Sequence, residues 1–239
     1  MSNEIQTLKG KKAQMRSMFD RIASSYDLLN HLLSLQIDRL WRRRAVRRVA
    51  AAKPSVVLDL ATGTGDLAIE LADKLPTATI RGVDLSPEML AVARKKILAQ
   101  GMQERITVEE GDAEALTQED ASVDLVTVGF GVRNFDRLDR CFEEMHRVLR
   151  VGGEVMILEL STPKNPFVRA LYTFYSKRFM PWFGGLISGQ RQAYHYLPAS
   201  VRAFDRPERV LERMQAAGFT ECRAESLTFG IAYIYTAKR

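Results

Sequence analysis

The fold is decided by the stretch Val57-Leu58-Asp59-Leu60-Ala61-Thr62-Gly63-Thr64-Gly65-Asp66. A short apolar strand carries an acid near its end, two glycines flank a threonine, and a helix-like sequence follows. Glycine reaches backbone dihedrals that other residues avoid and lets a ligand approach the main chain closely. The stretch therefore predicts a strand, a tight turn and a helix, which is the first unit of a doubly wound α/β sheet.

The rhythm of strand and helix continues from residue 55 to residue 160. Apolar strands are predicted at 56–60, 79–84, 106–108, 123–128 and 154–160. Helices are predicted at 66–75, 87–99 and 138–149. Such alternation indicates right-handed crossovers and a parallel sheet. A ligand is then expected at the carboxyl ends of the strands, near the reversal of strand order.

The glycine turn fits two kinds of adenosine ligand. Gly63-x-Gly65-x-x-Ala68 matches the dinucleotide fingerprint, as in a nicotinamide oxidoreductase. Asp84 ends the second strand, where an acid accepts hydrogen bonds from the ribose hydroxyls of either ligand. Asp59 precedes the turn, where its charge would oppose a pyrophosphate but suit an ammonium or sulfonium group.

A third acid favours S-adenosylmethionine over a dinucleotide. Asp112 follows the third predicted strand. Acids after three successive strands are typical of an S-adenosylmethionine site, with Asp59 near the amino acid part, Asp84 on the ribose and Asp112 by the adenine amine. A plain alternative is that Asp59 and Asp112 are only loop-edge acids or helix caps.

The bulk composition is that of a soluble globular protein. The 239 residues suffice for one large domain, and no apolar run approaches the roughly 20 residues needed to cross a bilayer. The start shows no signal peptide, and Cys141 and Cys222 have neither metal nor redox spacing. We therefore expect a cytoplasmic protein with no metal site.

Basic residues outnumber acidic ones, with a formal net charge of +6. The densest source is one predicted helix with arginines at positions 39, 42, 43, 44, 47 and 48. A helix of this kind suits a membrane surface or a nucleic acid, or it is simply a solvated face. The composition leaves these three interpretations open.

Three further segments flank the alternating core. Residues 1–50 are predicted to be helical and to form an N-terminal cap. Residues 161–205 interrupt the rhythm and are rich in aromatic side chains, which indicates an insertion facing the substrate or a membrane. Residues 206–239 are predicted to close the fold with a helix and two strands. We therefore expect a single domain over 1–239, with 55–160 as its cofactor-binding core.

Motifs along nearly the whole chain resemble one enzyme family. They are Tyr26-Asp27-x-x-Asn30-x-x-x-Ser34 ending in Trp41-Arg42, Gly129-Phe130-Gly131-Val132-Arg133-Asn134, Arg147-Val148-Leu149-Arg150-x-Gly152-Gly153, and Tyr194-x-Tyr196-Leu197-x-x-Ser200. Together they resemble the C-methyltransferases of ubiquinone and menaquinone biosynthesis. The chain departs from the family pattern at Asp38, where a histidine is usual. That departure casts doubt on any mechanism that needs the histidine.

The resemblance implies a class I S-adenosylmethionine-dependent methyltransferase with a Rossmann-like, doubly wound, seven-stranded sheet. The expected decorations are N-terminal helices and a helical insertion before the last strands. S-adenosylmethionine would donate a methyl group to a ring carbon of a polyprenylated quinol. Demethylmenaquinol is the first expectation, and a benzoquinol of ubiquinone synthesis is the alternative.

The expected partners follow from the substrate. A polyprenyl tail favours peripheral contact with the inner face of the cytoplasmic membrane. A homodimer stays open. Nucleic acid is not expected, although an RNA methyltransferase using the arginine-rich helix is the alternative from another class.

The resemblance also implies roles for individual residues. Arg133 would stabilise the phenolate, Asn134 would orient the substrate oxygen or a water, and Tyr26 would lie over the site. The alternatives are an ion pair of Arg133 with Asp136 or Glu159, and a core role for Tyr26. The residues expected to bind the cofactor are Asp59, Gly63, Thr64, Gly65, Asp84, Asp112, Ala113 and Gly129.

Overall fold

The computed structural model describes residues 2–175 and 191–239. Its helices are α1 (Ser2–Leu33), α2 (Ile37–Ala50), α3 (Asp66–Lys74), α4 (Pro87–Ala99), α5 (Leu138–Val148), α6 (Pro166–Phe174), α7 (Arg191–Ala203) and α8 (Pro207–Ala216). Its strands are β1 (Val56–Leu60), β2 (Thr79–Asp84), β3 (Ile106–Glu110), β4 (Val123–Gly129), β5 (Leu149–Leu160), β6 (Thr220–Leu227) and β7 (Ala232–Lys238).

The strands form one sheet in the order β3-β2-β1-β4-β5-β7-β6. β1 to β5 pair in parallel, whereas β7 is antiparallel to both of its neighbours. The order reverses between β1 and β4, so a crevice opens at their carboxyl ends. The predicted doubly wound, seven-stranded sheet is confirmed.

Apolar side chains cover both faces of the sheet. On one face α2, α3 and α4 bury Val46, Leu71 and Ile97 against β1 and β2. On the other face α5 and α8 contribute Phe142 and Met214 to a second cluster. Because both faces are covered, the central strands β1 and β4 are largely apolar and buried, and the polar residues at the strand ends are available to form a site.

Helix α1 crosses the strand ends and is held there by polar contacts. The Lys12 ammonium lies 2.7 Å from a carboxylate oxygen of Asp112. Ser86, the N-cap of α4, donates a hydrogen bond of 2.5 Å to Asp20. Further along α1, Asp27 pairs with Lys96 of α4 at 2.7 Å. The N-terminal segment therefore covers the edge at which a ligand is expected.

One predicted boundary is wrong. The fifth strand begins at Leu149, not at residue 154, because the chain leaves α5 directly into β5. Leu149 pairs with Val123, and the register then shifts so that Glu154 pairs with Leu125. Gly152, with φ +80°, lies at this irregularity of the strand.

The insertion is helical where it is described, as α6 and α7. Its tip, which carries Lys177, Arg178, Phe179, Trp182 and Phe183, lies outside the described residues. Across the residues that are described, no helix has both the length and the apolar character to cross a membrane.

Candidate active site

The glycine turn leaves β1 and passes directly into α3. Gly63 has φ +56° and Gly65 has φ +82°, both in the left-handed region that favours glycine. A Cβ on Gly65 would lie 3.2 Å from Cβ of Ala93, so this glycine also lets α4 pack against the turn. The turn thereby brings the backbone of residues 62–64 to the crevice between β1 and β4.

Asp59 is buried at the end of β1, with 1% of its surface exposed. Its two carboxylate oxygens accept hydrogen bonds from the hydroxyls of Thr62 and Thr127, each at 2.6 Å. Burial raises the pKa of Asp59 to about 6, and the two hydroxyls oppose that rise. A cation placed beside Asp59 would favour the charged carboxylate, so binding of a positively charged ligand would lower the pKa of Asp59.

Asp84 and Asp112 lie on the same edge, at the ends of β2 and β3. One oxygen of Asp84 accepts from the Gly63 amide at 2.8 Å, and the other accepts from the Ser86 amide at 2.9 Å. These amides fix the carboxylate, and burial raises its pKa. Asp112 accepts from the Glu114 amide at 2.9 Å and pairs with Lys12.

The residues expected to bind the cofactor line two neighbouring cavities. The strand-end cavity, over β1 to β4, is lined by Gly63, Asp84, Asp112, Ala113 and Gly129 among others. The glycine-loop cavity, beside the turn, is lined by Asp59, Gly63, Thr64 and Gly129 among others. Gly65 lines neither cavity and instead supports the turn.

The donor set fits S-adenosylmethionine. The fixed carboxylates of Asp84 and Asp112 can accept hydrogen bonds from hydroxyl and amine groups, and the buried acid Asp59 suits a cationic group. A Cβ on Gly111 would approach the Val83 side chain to 2.8 Å, so the wall at the third strand end has no room for a side chain.

A third cavity is mostly apolar. This apolar cavity has a volume of about 440 Å³ and lies between α1, α2, α6 and α7. Its lining includes Trp41, Val168, Leu171, Tyr172 and Leu197. Tyr26 and Phe130 line the apolar cavity, the strand-end cavity and the glycine-loop cavity alike, so the three meet at this pair.

Arg133 lines the apolar cavity and is fixed by several acceptors. Its Nη1 lies 2.8 Å from Oε1 of Glu159 and also donates to the Phe130 carbonyl. Its Nε donates to Ser200 Oγ at 3.3 Å. Burial acts to lower the pKa of Arg133, but Glu159 together with Tyr26 and Tyr196 outweighs it, and the pKa is raised. The ion pair with Glu159 that we considered as an alternative is therefore present, and Nη2 is the nitrogen that these contacts leave unused.

Asn134 and Tyr26 stand beside Arg133. Asn134 lines the strand-end cavity, and its Oδ1 accepts from the Tyr196 hydroxyl at 2.9 Å. Burial raises the pKa of Tyr26, while the nearby Arg133 guanidinium lowers it. Tyr26 therefore holds its proton at neutral pH, and its hydroxyl, which also forms a hydrogen bond with Asn30, lies where the three cavities meet.

The arginine-rich helix is largely ion-paired. Arg42 is buried and contacts Asp38 at 2.9 Å and Asp66 at 3.0 Å. Arg44 contacts Glu225 at 2.5 Å, and longer pairs join Arg43 to Glu70 and Arg48 to Glu154, both at 3.9 Å. These ion pairs favour the interpretation of the helix as a structural, solvated face, and they weaken the argument that the helix binds a nucleic acid.

Asp38 has a structural partner set of its own. It accepts from Ser34 and lies 2.7 Å from Nδ1 of His31 as well as against Arg42. Burial acts to raise the pKa of Asp38, but these partners outweigh it and the pKa is lowered. Asp38 is therefore a charged acid that ties α1 to α2.

Sequence reasoning did not single out Phe130 or Lys12. Phe130 has φ +58°, a rare conformation for a bulky residue, and sits where the three cavities meet. The glycines on both sides of it, Gly129 and Gly131, were the available signal. Lys12 carried no such signal, because its partner Asp112 is 100 residues away in sequence.

Comparisons with known proteins bear on the whole chain. The sequence profile of the ubiE/COQ5 methyltransferase family matches residues 6–239. A demethylmenaquinone methyltransferase of Bacteroides fragilis is 42% identical over 231 residues, covering 96% of this chain and 94% of the relative. A protein of the same name in Thermus thermophilus is 47% identical over 222 residues, covering 93% of this chain and 100% of the relative.

Solved structures share the architecture. An S-adenosylmethionine-dependent methyltransferase from Aquifex aeolicus aligns with a TM-score of 0.57 at 17% identity, over 77% of this chain and 81% of that one. The cyclase SpnF aligns with a TM-score of 0.69 at 18% identity, over 95% and 96%. Since a cyclase is among them, this likeness shows the fold alone. The family profile and the relatives go further: the chain is an S-adenosylmethionine-dependent methyltransferase and belongs to the ubiE/COQ5 methyltransferase family.

Proposed function

We propose that the protein transfers the methyl group of S-adenosylmethionine to a ring carbon of demethylmenaquinol, a polyprenylated naphthoquinol. The observation that carries the proposal is the meeting, at Tyr26 and Phe130, of the strand-end cavity, whose polar side includes Asp84 and Asp112, with the mostly apolar cavity. The polar side suits a charged nucleoside, and the apolar side suits a quinol ring and the start of its tail. Relatives named demethylmenaquinone methyltransferase support this substrate.

The residues on the polar side would bind and orient the donor. Asp84 would accept from the ribose hydroxyls and Asp112 from the adenine amine. Asp59 would face the cationic amino acid end, with Gly63, Thr64, Ala113 and Gly129 forming the walls. When bound there, S-adenosylmethionine supplies an electrophilic methyl group. The chain's own contribution is to hold the accepting carbon in line with it.

The residues on the apolar side would activate the ring. A ring carbon is a weak nucleophile until a neighbouring phenol loses its proton. Nη2 of Arg133 would stabilise the resulting phenolate, because the guanidinium stays charged at any working pH. Glu159 holds Arg133 in place, and the proton on Tyr26 makes it a second donor. Arg133 therefore stabilises the anion and does not itself take the phenolic proton, which passes to water. The ring carbon that gains the methyl group then loses its hydrogen as a proton to water, so that one methyl group is gained and one proton is released overall.

The test is a methyl-transfer assay with the purified full-length chain. Methyl-labelled S-adenosylmethionine and chemically reduced demethylmenaquinone are mixed in detergent, and label in the quinone is followed by mass spectrometry. We expect label on the naphthoquinol ring and none with the oxidised quinone. Label only on a benzoquinol offered in parallel would show that the substrate is a benzoquinol and not demethylmenaquinol, while the reaction would still be C-methylation of a quinol. Absence of label on both quinols would refute the proposal.

We also propose that the mouth of the apolar cavity contacts a membrane surface. Helix α6 presents Phe167, Leu171 and Phe174 on one face, and each is more than half exposed. Val168 and Tyr172 of the same helix line the apolar cavity. Leu35, 69% exposed, stands at the same cavity from the turn between α1 and α2. An exposed apolar rim around an apolar cavity is what extraction of a lipid-tailed substrate needs.

Vesicle flotation tests this contact. The double variant Phe167→Ser/Phe174→Ser should float with anionic phospholipid vesicles far less than the unaltered protein. A matched control, Leu98→Ser, changes a leucine of similar exposure on α4. Equal flotation of the double variant and the control would refute the assignment of the rim.

A further inference from the structure

Helix α7 contacts two candidate catalytic residues, Arg133 of the apolar cavity and Asn134 of the strand-end cavity. Tyr196 and Ser200 are one helical turn apart, and they contact the consecutive residues Asn134 and Arg133. Residues 132–134 form a short 3-10 turn directly after β4. Two hydroxyls from one helix therefore reach two neighbouring side chains at the junction of the cavities.

The contact of Tyr196 decides what Asn134 can do. The Tyr196 hydroxyl donates to Oδ1 of Asn134 at 2.9 Å. A primary amide has one oxygen that accepts and one nitrogen that donates. The bond from Tyr196 orients Oδ1 toward α7, and Asn134, which lines the strand-end cavity, keeps the two N–H donors of Nδ2.

The contact of Ser200 completes the setting of Arg133. Ser200 is buried, its Oγ donates to the Leu197 carbonyl at 2.9 Å, and it accepts from Nε of Arg133 at 3.3 Å. Glu159 and the Phe130 carbonyl take Nη1. The guanidinium is thus held from two sides, and none of these contacts among the described residues engages Nη2 of Arg133, which lines the apolar cavity.

Leu197, between these two hydroxyls, connects the same helix to the substrate side. It lines the apolar cavity and packs in the cluster that contains Ile22 and Ala23 of α1. Helix α7 therefore touches the cavity wall, the covering helix α1 and the two polar residues at once. Its position is coupled to all three.

We propose that Tyr196 and Ser200 are positioning residues, which set Asn134 as a hydrogen-bond donor and orient Arg133 so that both donate to one phenolate oxygen. The proposal rests on the proposed function and adds to it the direction of each hydrogen bond. Asn134→Asp should then lower the activity more than Asn134→Ala, because the carboxylate would face the developing phenolate with a like charge.

Four variants test this assignment in the methyl-transfer assay. Tyr196→Phe and Ser200→Ala each remove one hydroxyl, and each should lower kcat by about tenfold, the order expected for one lost hydrogen bond that acts in the transition state. KM for the quinol and the affinity for S-adenosylmethionine should change little. Asn134→Asp should be less active than Asn134→Ala, and increasingly so as the pH rises.

Two matched controls make the same chemical changes elsewhere. Tyr235→Phe removes a buried tyrosine hydroxyl in the core, and Ser122→Ala removes a loop hydroxyl that bonds the Glu119 carbonyl. Both should retain the kcat of the unaltered protein. Retention of full kcat by Tyr196→Phe, or an Asn134→Asp variant as active as Asn134→Ala at every pH, would overturn the proposal.

A double-mutant cycle separates this proposal from the proposed function. The unfolding equilibrium constants of Tyr196→Phe, Asn134→Ala and the double variant measure the contact without any quinol. We expect a coupling of at least about twofold in the equilibrium constant, which is the lower end of the range for residues in contact. No coupling would overturn the proposal. Coupling in a protein that methylates no quinol would refute the proposed function and leave the Tyr196–Asn134 bond intact.

Discussion

Replacing Asp59 by Asn should stabilise the protein and weaken its binding of S-adenosylmethionine. Asp59 is buried between the hydroxyls of Thr62 and Thr127, and its pKa is raised to about 6. An amide has nearly the same shape as a carboxylate, and threonine hydroxyls can either donate or accept. The substitution therefore removes a buried charge and keeps the hydrogen bonds.

The magnitude follows from the shift in pKa. The pKa of Asp59 rises from 3.8 to about 6 on folding. The folded state then binds the proton more tightly than the unfolded state, so stability is lost as the pH rises between these two values. At pH 8 the full difference applies, about 3 kcal/mol at 1.36 kcal/mol for each pKa unit. At pH 4.5 about 1 kcal/mol remains by the same linkage.

Urea denaturation at the two pH values is the assay. Asp59→Asn should raise the free energy of unfolding at pH 8 by about 3 kcal/mol and at pH 4.5 by about 1 kcal/mol. The same change at Asp124 is the matched control, because the amides of Val56 and Ser55 and the Arg150 side chain outweigh the effect of burial and lower its pKa. Asp124→Asn should lower the stability at pH 8.

Calorimetric titration with S-adenosylmethionine completes the test. Loss of a charge-assisted contact should weaken binding by at least about tenfold in Asp59→Asn. In the unaltered protein the affinity should fall as the pH drops below 6, since protonation of Asp59 removes its charge. A variant that binds as tightly as the unaltered protein, or one that is equally destabilised at both pH values, would refute the reasoning.

Substitutions at three further positions have defined outcomes. Arg133→Lys keeps the charge but loses the planar guanidinium that binds Glu159 and Ser200, so kcat should fall at least about tenfold. Arg133→Ala should in addition lower the free energy of unfolding, measured by urea denaturation, by about 3–5 kcal/mol, because Glu159 is left buried without its ion-pair partner. Tyr235→Phe should raise the free energy of unfolding by about 1 kcal/mol at unchanged activity, because the Tyr235 hydroxyl is buried with no hydrogen-bond partner among the described residues. Gly131→Ala should lower both kcat and stability, since its Cβ would lie 2.5 Å from Cβ of Ala61, while Gly10→Ala, with no atom within 4 Å of its Cβ, should keep full activity.

The strand-end acids could be predicted from sequence because the rule that places them is local. Each of Asp59, Asp84 and Asp112 lies at or just past the carboxyl end of an apolar strand, and parallel strands bring those ends to one edge. The state of each acid could not be predicted. Thr127 reaches Asp59 because β1 and β4 pair in that register, and nothing in either strand alone specifies it.

The arginine-rich helix is a second case in which contacts between distant residues decide what the local sequence could not predict. Its sequence alone looks like a surface that seeks an anion. Folding supplies the anions internally, since Asp66 lies on α3 and Glu225 on β6, both distant in sequence from Arg42 and Arg44. A run of like charge therefore predicts a site only when its partners within the fold are known.

The junction at Tyr26 and Phe130 explains why so many contacts converge on so few residues. The methyl group must pass from the strand-end cavity, which carries the acids, to the mostly apolar cavity. The backbone at Phe130 adopts a rare φ, its carbonyl holds Arg133, and its ring lies 6.3 Å from that of Trp41 in the apolar cavity. One residue thus fixes the edge of the apolar wall and the orientation of the guanidinium. A strained backbone such as that of Phe130 persists only where surrounding contacts stabilise it. Glu159, Tyr196 and Ser200 supply such contacts to the turn that follows Phe130.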